Sequence, residues 1–284
     1  MSAMNYFYAE DDAAIYDRTV FMTDPHYGEL HGALDGLFRQ WISTEHQPSV
    51  PSGPVVVDIG CGTGAEAMRL LESTRDISLV AIDISARMLD VLEEKLIRRY
   101  GDNTAGGRCK LVCLDVREKG WMAKALELVQ KPGSRRTCDA AISVYALHHL
   151  DVKMKRQVYR EIFDHLSPRG IFANADLFAF ETKWLADYAQ TMLEEWINKQ
   201  FTDPAAPHYK DGPSLASDRQ RLMANWLCHV HEENCPLPAI PSAREQRGGV
   251  KSVSEQDILT AVGFPTTECV YRSGQSAILW ASKE

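Results

Sequence analysis

The stretch VVVDIGCGTG, residues 55–64, constrains the fold more than any other part of the chain. Three β-branched residues in a row, Val55, Val56 and Val57, favour a short buried strand. Asp58 ends that strand, and Gly60, Gly62 and Gly64 turn the backbone into a helix beginning near Ala65. Glycine suits such a turn because it reaches backbone angles other residues avoid and lets a ligand lie against bare main chain. The acid narrows the ligand further. A pyrophosphate asks only for amides and a helix N-terminus, whereas a buried carboxylate suits the ammonium group of an amino acid.

The pattern then repeats. The run LVAIDIS, residues 79–85, is a second apolar strand ending in Asp83, placed where an acid can hold two ribose hydroxyls. A third strand, KLVCLDV, ends in Asp115. Taken together, D-x-G-x-G-x-G and the two later strand-end acids resemble the class I S-adenosylmethionine (SAM) methyltransferases. The resemblance implies SAM as cofactor and S-adenosylhomocysteine (SAH) as product. It carries cofactor contacts onto Asp58, Gly60, Cys61, Gly62 and Gly64, onto Asp83, Ile84 and Met88, onto Asp115 and Val116, and onto Val144. In the family the third acid lies beside the adenine amino group. Tyr16, in AAIYDR, looks like the tyrosine that many members place over the cofactor as an N-terminal latch, and Tyr27, in DPHYGEL, is a second candidate. For both, packing on the sheet edge is an equal alternative.

The fold class this implies is α/β, a doubly wound, mostly parallel sheet of seven strands. Four segments are expected: an N-terminal helical cap at 1–53, a SAM-binding core at 54–180, a helical lid insertion at 181–250, and a closing helix and hairpin at 251–284. Helical spacing covers Ala13 to Val20 and Tyr27 to Trp41, separated by Pro25. Ser85 caps a helix from Ala86 to Tyr100, and Glu118 to Val129 is a further helix. Strand four is Ala140 to Val144, followed by a helix from Lys153 to Leu166. Ser167 to Gly170 reads as a turn before strand five, Ile171 to Leu177. A helix from Ser254 to Val262 and strands Thr267 to Tyr271 and Ala277 to Ala281 close the chain.

Composition limits what the chain can be. With 284 residues, 45% of them hydrophobic and 25% charged, it can bury a large core and carries no excess that favours disorder. The formal net charge of -8 sets a repulsive field against DNA or RNA, so a small-molecule acceptor is the expected partner. Seven scattered cysteines read as reduced thiols of a cytoplasmic protein. A secretory leader pattern and a run of roughly 18 apolar residues are both missing from the sequence, so neither export nor a membrane span is expected. The oligomeric state is open, a homodimer included.

Strand four runs into Tyr145, Ala146, Leu147, His148 and His149, which resembles the family's fourth motif, at the edge where methyl group and acceptor meet. Methyl transfer from a sulfonium gains most from near-attack positioning, and a base is needed only when the acceptor must lose a proton. His148 and His149 are candidates for that base, with Tyr145 as a hydroxyl donor and Asp176 as an orienting acid; shaping of the pocket wall is the alternative for each. Cys228, His229, His231 and Cys235 are too crowded for the usual zinc spacings, so no metal is expected, and the basic cluster from Arg219 to Lys251 reads as a solvated face. Trp184, Tyr188, Trp196, Tyr209 and Trp226 supply apolar area for a lid that selects the acceptor. Two further readings stay open. The closing VSEQDILTAVGF also looks like the carboxy-SAM synthase branch, which modifies the cofactor for tRNA wobble-uridine chemistry, and the same acids would serve a non-catalytic SAM or SAH binder that regulates a partner.

Overall fold

The structure, a computed structural model, describes residues 13, 16, 17, 20–22, 24–44, 53–129, 137–178, 183–206 and 254–283. Helix α1 spans Tyr27–Thr44, preceded by helical residues at 13, 16, 17 and 20–22. The alternating core follows as β1 (Val55–Ile59), α2 (Ala65–Ser73), β2 (Ser78–Asp83), α3 (Ala86–Tyr100), β3 (Cys109–Cys113), α4 (Trp121–Leu126), β4 (Cys138–Val144), α5 (Val152–His165) and β5 (Leu166–Leu177). Helix α6 (Lys183–Thr202) opens the insertion, and α7 (Glu255–Val262), β6 (Thr266–Ser273) and β7 (Ser276–Ser282) complete the chain.

The seven strands lie in the order β3-β2-β1-β4-β5-β7-β6. The first five are parallel and β7 runs antiparallel between β5 and β6. The chain leaves β1 toward β2 on one side and later returns to place β4 on the other. The crevice between β1 and β4 at their C-terminal ends is therefore the topological switch point, where open α/β sheets bind ligands.

The period-two alternation of each strand feeds two separate cores. Val56, Leu79, Ala81 and Ile142 face Leu30, Leu34 and Phe38 of α1, Leu70 of α2 and Leu92 and Leu96 of α3. Their neighbours Val57, Ile59, Val80 and Ile82 face Trp121 and Met122 of α4, Tyr159 and Ile162 of α5, and Ile258 and Leu259 of α7. Both sheet faces are thus dry, which a parallel sheet requires. Each fully buried leucine or phenylalanine contributes about 1.5–3 kcal/mol.

Local signals set the helix ends. The Ser85 hydroxyl accepts from the Met88 amide at 3.4 Å and Gly101, at φ 82°, closes α3. Asp151 caps α5, and Ser254 and Asp257 form a reciprocal capping box at α7. Helix α7 is further pinned by a buried ion pair: Lys155 Nζ lies 3.0 Å from Glu255 Oε2, and the Tyr159 hydroxyl donates to the same carboxylate. Burial pushes the Glu255 carboxyl up and Lys155 opposes that push.

Several expected boundaries move, three of them for reasons the side chains show. Strand β3 stops at Cys113, because the Asp115 side chain accepts from the Arg117 amide at 2.9 Å and turns the chain. Helix α4 starts only at Trp121, where Glu161 of α5 accepts from the Gly120 amide at 2.7 Å. The stretch Ser167 to Gly170 is no separate turn but an irregularity inside β5: Leu166 already pairs with Cys138, the register shifts before Ala140 pairs Ile171, and Arg169 sits at φ 63°. No helix among the described residues is long and apolar enough to cross a membrane.

Candidate active site

A cavity of about 920 Å³ opens along the C-terminal ends of β1 to β5. On its first half, Asp58, Asp83 and Asp115 all line the cavity. Asp58 is 1% exposed and its Oδ2 has no hydrogen-bond partner. Burial pushes its carboxyl well up, and Glu66 and Asp83 push it further. A buried carboxylate oxygen without a donor is costly, so this site calls for a cation or donor from a ligand.

The glycine turn is built for close approach. Gly62 has φ 52° and no atom within 4 Å of where a Cβ would stand, so its bare face looks into the cavity. Its amide donates to Asp83 Oδ2 at 2.8 Å, while the Ser85 amide donates to Asp83 Oδ1 at 2.8 Å. Burial raises the Asp83 carboxyl and these backbone donors oppose that rise. Gly60 and Cys61 line the same wall, and a Cβ on Gly60 would meet that of Ala146 at 2.4 Å. Gly64 is the exception among the implied contacts. It does not line the cavity; a Cβ there would meet Leu92 Cδ1 at 2.2 Å, so this glycine is needed for α2 to pack on α3.

Ile84, Met88, Val116 and Val144 line the cavity as apolar wall. Asp115 lines it too, but its carboxylate is already gripped by Arg117, with Nη2 at 2.6 Å from Oδ2, and this guanidinium holds the acid below the ordinary carboxylate range. Tyr16 and Tyr27 both reach the cavity. Tyr27 is buried at the start of α1, stacked on Tyr145 with ring centroids 5.8 Å apart, and against His31 at 4.4 Å.

The second half of the cavity is walled by β4, β5, β7 and α6. Tyr145 sits at φ 50°, a left-handed conformation that costs a non-glycine residue energy and is found where a side chain must be aimed. Its hydroxyl donates to Ser276 Oγ at 3.0 Å. His148 Nδ1 lies 2.5 Å from Asp176 Oδ1, and the other oxygen of Asp176 accepts the His148 amide at 2.9 Å. Asp176, fully buried, therefore fixes both the ring and the backbone of His148. His149 lines the same cavity with its ring 4.0 Å from that of His148. From α6 come Leu185, Tyr188, Met192 and Trp196.

Sequence reasoning missed the pair His31 and Glu66. Both are buried, with Nδ1 to Oε2 at 2.7 Å, and each leaves one polar atom, Nε2 and Oε1, without a partner at the cavity wall. The only sequence signal was a polar residue interrupting the apolar face of each helix. Among the described residues no cluster of three metal-binding side chains occurs; the Cys228 to Cys235 group and Arg219 to Lys251 lie outside the described residues.

The sequence pattern of the methyltransferase domain family matches residues 57–172, which is the stretch that builds this cavity floor. Over those residues the chain matches a methyltransferase domain, and its mostly parallel seven-stranded sheet is the class I methyltransferase fold. It is 26% identical over 151 residues to mouse tRNA (carboxymethyluridine(34)-5-O)-methyltransferase ALKBH8, covering 50% of this chain and 18% of that protein. It is 23% identical over 188 residues to the carboxy-S-adenosyl-L-methionine synthase of Campylobacter curvus, covering 66% of this chain and 68% of that one. Among solved structures, the CurJ carbon methyltransferase superposes with a TM-score of 0.60 at 14% identity, covering all of this chain and 61% of that one. The match thus spans under a fifth of the length of the first relative.

The residues present fit SAM. The unpartnered Asp58 Oδ2 suits its ammonium group, Asp83 its ribose hydroxyls, and the open face of Gly62 its amino-acid end. Bound SAM supplies an activated methyl group.

Proposed function

We propose that this chain transfers a methyl group to a small-molecule acceptor, by positioning rather than by covalent catalysis. One continuous cavity of about 920 Å³, running from the strand-end acids to His148, Tyr145 and α6, supports this reading. That volume is on the scale of a small-molecule site, about 300–1,000 Å³, and too narrow to swallow a folded nucleic acid. Asp58, Gly62 and Asp83 hold the cofactor end, while Tyr27 and Tyr145 wall the crossing to the acceptor half. Where the acceptor must lose a proton, His148 accepts it, with Asp176 setting the tautomer. Helix α6 begins a lid that closes the acceptor side and excludes water.

Mass spectrometry of small molecules carried through purification tests the cofactor branch: SAM or SAH is expected, and carboxy-SAM would instead place the chain with the cofactor-modifying enzymes. Labelled SAM offered with a low-molecular-weight extract, and separately with total tRNA, tests the acceptor. Label entering tRNA alone refutes the small-molecule reading, and binding without any transfer points to a regulatory SAM binder. Hydrogen exchange across α6 with and without SAH tests the lid, since equal protection in both states makes it a fixed wall.

A further inference from the structure

The cavity has a charge imbalance that the cofactor does not remove. Among the described residues lining it, six carry carboxylic acids and two carry Lys or Arg side chains. Both cations already face acids: Arg117 is held by Asp115, and Lys199 Nζ lies 3.9 Å from Asp203 Oδ2. SAM brings a net charge of about +1, from a sulfonium and a zwitterion, which Asp58 and its neighbours on the β1 and β2 side absorb.

On the acceptor half stands Asp24, in the turn that leads into α1. Its Oδ1 accepts the His26 amide at 2.8 Å, while its Oδ2 is buried and has no hydrogen-bond partner. Among the described residues, the groups facing this carboxylate are aromatic or already engaged. The Tyr145 hydroxyl is a hydrogen-bonding neighbour of the carboxylate, and Tyr16 lies within its electrostatic reach. His26 contacts Ser273 Oγ at 2.9 Å, and His31 contacts Glu66. A desolvated carboxylate oxygen among tyrosine rings is the chemistry that recognises an organic ammonium: the carboxylate supplies the countercharge and the rings supply cation-π attraction. A phosphate or carboxylate-bearing acceptor would meet repulsion in the same place.

We infer that the acceptor is an amine on a partly apolar body, its nitrogen held at Asp24 beside Tyr145 and Tyr27. This rests on the methyltransferase reading above. The entering ammonium gives one proton to His148, and the freed lone pair on nitrogen forms the new N–C bond. The C–S bond breaks with its electron pair going to sulfur. Positive charge leaves sulfur and builds on nitrogen, where the Asp24 carboxylate stands, so once the proton has left, this acid stabilises the charge as it returns to nitrogen. Burial raises the Asp24 carboxyl, and the Tyr145 hydroxyl, the His26 amide and the His26 and His31 rings oppose that rise.

The test is calorimetric titration of the SAH-saturated protein with 2-phenylethylamine and hexylamine, each beside its alcohol and a carboxylate of matched length. SAH is titrated first, and failure of SAH to bind refutes the methyltransferase reading itself. Given SAH binding, at least one amine is expected to bind roughly tenfold or more tighter than its alcohol and carboxylate, the scale of a charge-assisted contact. Asp24→Asn keeps the acceptor oxygen for the His26 amide and should erase that preference, with SAH affinity held within about twofold. Incubation of the preferred amine with SAM should add one methyl to nitrogen, read by fragmentation mass spectrometry. The inference is overturned if no amine binds, if an alcohol or carboxylate binds as tightly, or if the preference survives in Asp24→Asn.

Discussion

Asp58 is a group whose cost to the fold should exceed its contribution until ligand arrives, and Asp58→Asn separates the two. In the ligand-free chain its Oδ2 has no donor, and burial together with Glu66 and Asp83 pushes the carboxyl well above its ordinary range. A carboxyl that holds its proton more tightly when folded loses stability as pH climbs from the ordinary carboxyl value toward the raised one, because the unfolded chain releases the proton first. Each pH unit in that window costs about 1.4 kcal/mol. Relief of one unsatisfied buried acid is worth about 1–3 kcal/mol, and at about 2 cal/mol/K of unfolding entropy per residue this raises Tm by roughly 2–5 °C at neutral pH. The same substitution removes the countercharge for the cofactor's ammonium and should weaken SAH roughly ten- to hundredfold. Thermal melting between pH 4 and 8, without ligand and with SAH, reads both effects. A variant that melts lower than the parent without ligand at pH 7, or that keeps parental SAH affinity, refutes this account of Asp58.

Gly62→Val puts a branched side chain into open cavity at a positive φ, so SAH binding should be abolished in calorimetry, with a cost of about 1–2 kcal/mol to folding from the backbone conformation. Asp176→Asn should leave SAH affinity close to parental while lowering kcat, since the His148 ring and tautomer are no longer dictated; an unchanged kcat would show that His148 takes no part in turnover. Lys155→Met strands the Glu255 carboxylate inside the interface of α5 and α7 and should destabilise the fold by about 3–5 kcal/mol in denaturant titration, whereas a cost under 1 kcal/mol would mean that water reaches the pair.

What the sequence could and could not disclose follows from the range of the forces involved. Helix α3 was legible to the residue because each of its signals is local: the Ser85 cap, the stripe of Met88, Leu89, Leu92 and Leu96, and the Gly101 terminus all lie within one helix length. Asp83 was legible for the same reason, since β2 closes on it, whereas β3 stops two residues short of Asp115. Gly64 was not, because spacing gives a glycine's place in a turn but not what stands opposite its missing Cβ; here that is Leu92 of the next helix rather than a ligand. The start of β5 was misread as a turn because Pro168 and Gly170 carry turn chemistry, and only pairing with Cys138 across the sheet draws Leu166 into the strand.

The site divides along the same line. Its cofactor half is written in short motifs, because a cofactor's adenosine and amino-acid ends are met by residues at the ends of consecutive strands. Its acceptor half is assembled from residues far apart: Asp24 before α1, Tyr145 after β4, Ser276 at the head of β7, and Tyr188 and Trp196 on α6. The hydroxyl bond from Tyr145 to Ser276 joins positions 131 residues apart, and His31 and Glu66 meet across 35. No periodicity or spacing encodes such pairs, because each partner satisfies only its own helix or strand until the sheet brings them together. On the function proposed above, selectivity for the acceptor then rests on the part of the structure that tertiary packing alone creates. On the inference drawn above, the charge at Asp24, which pairs with no lysine or arginine among the described residues, is the property by which its ligand can be sought.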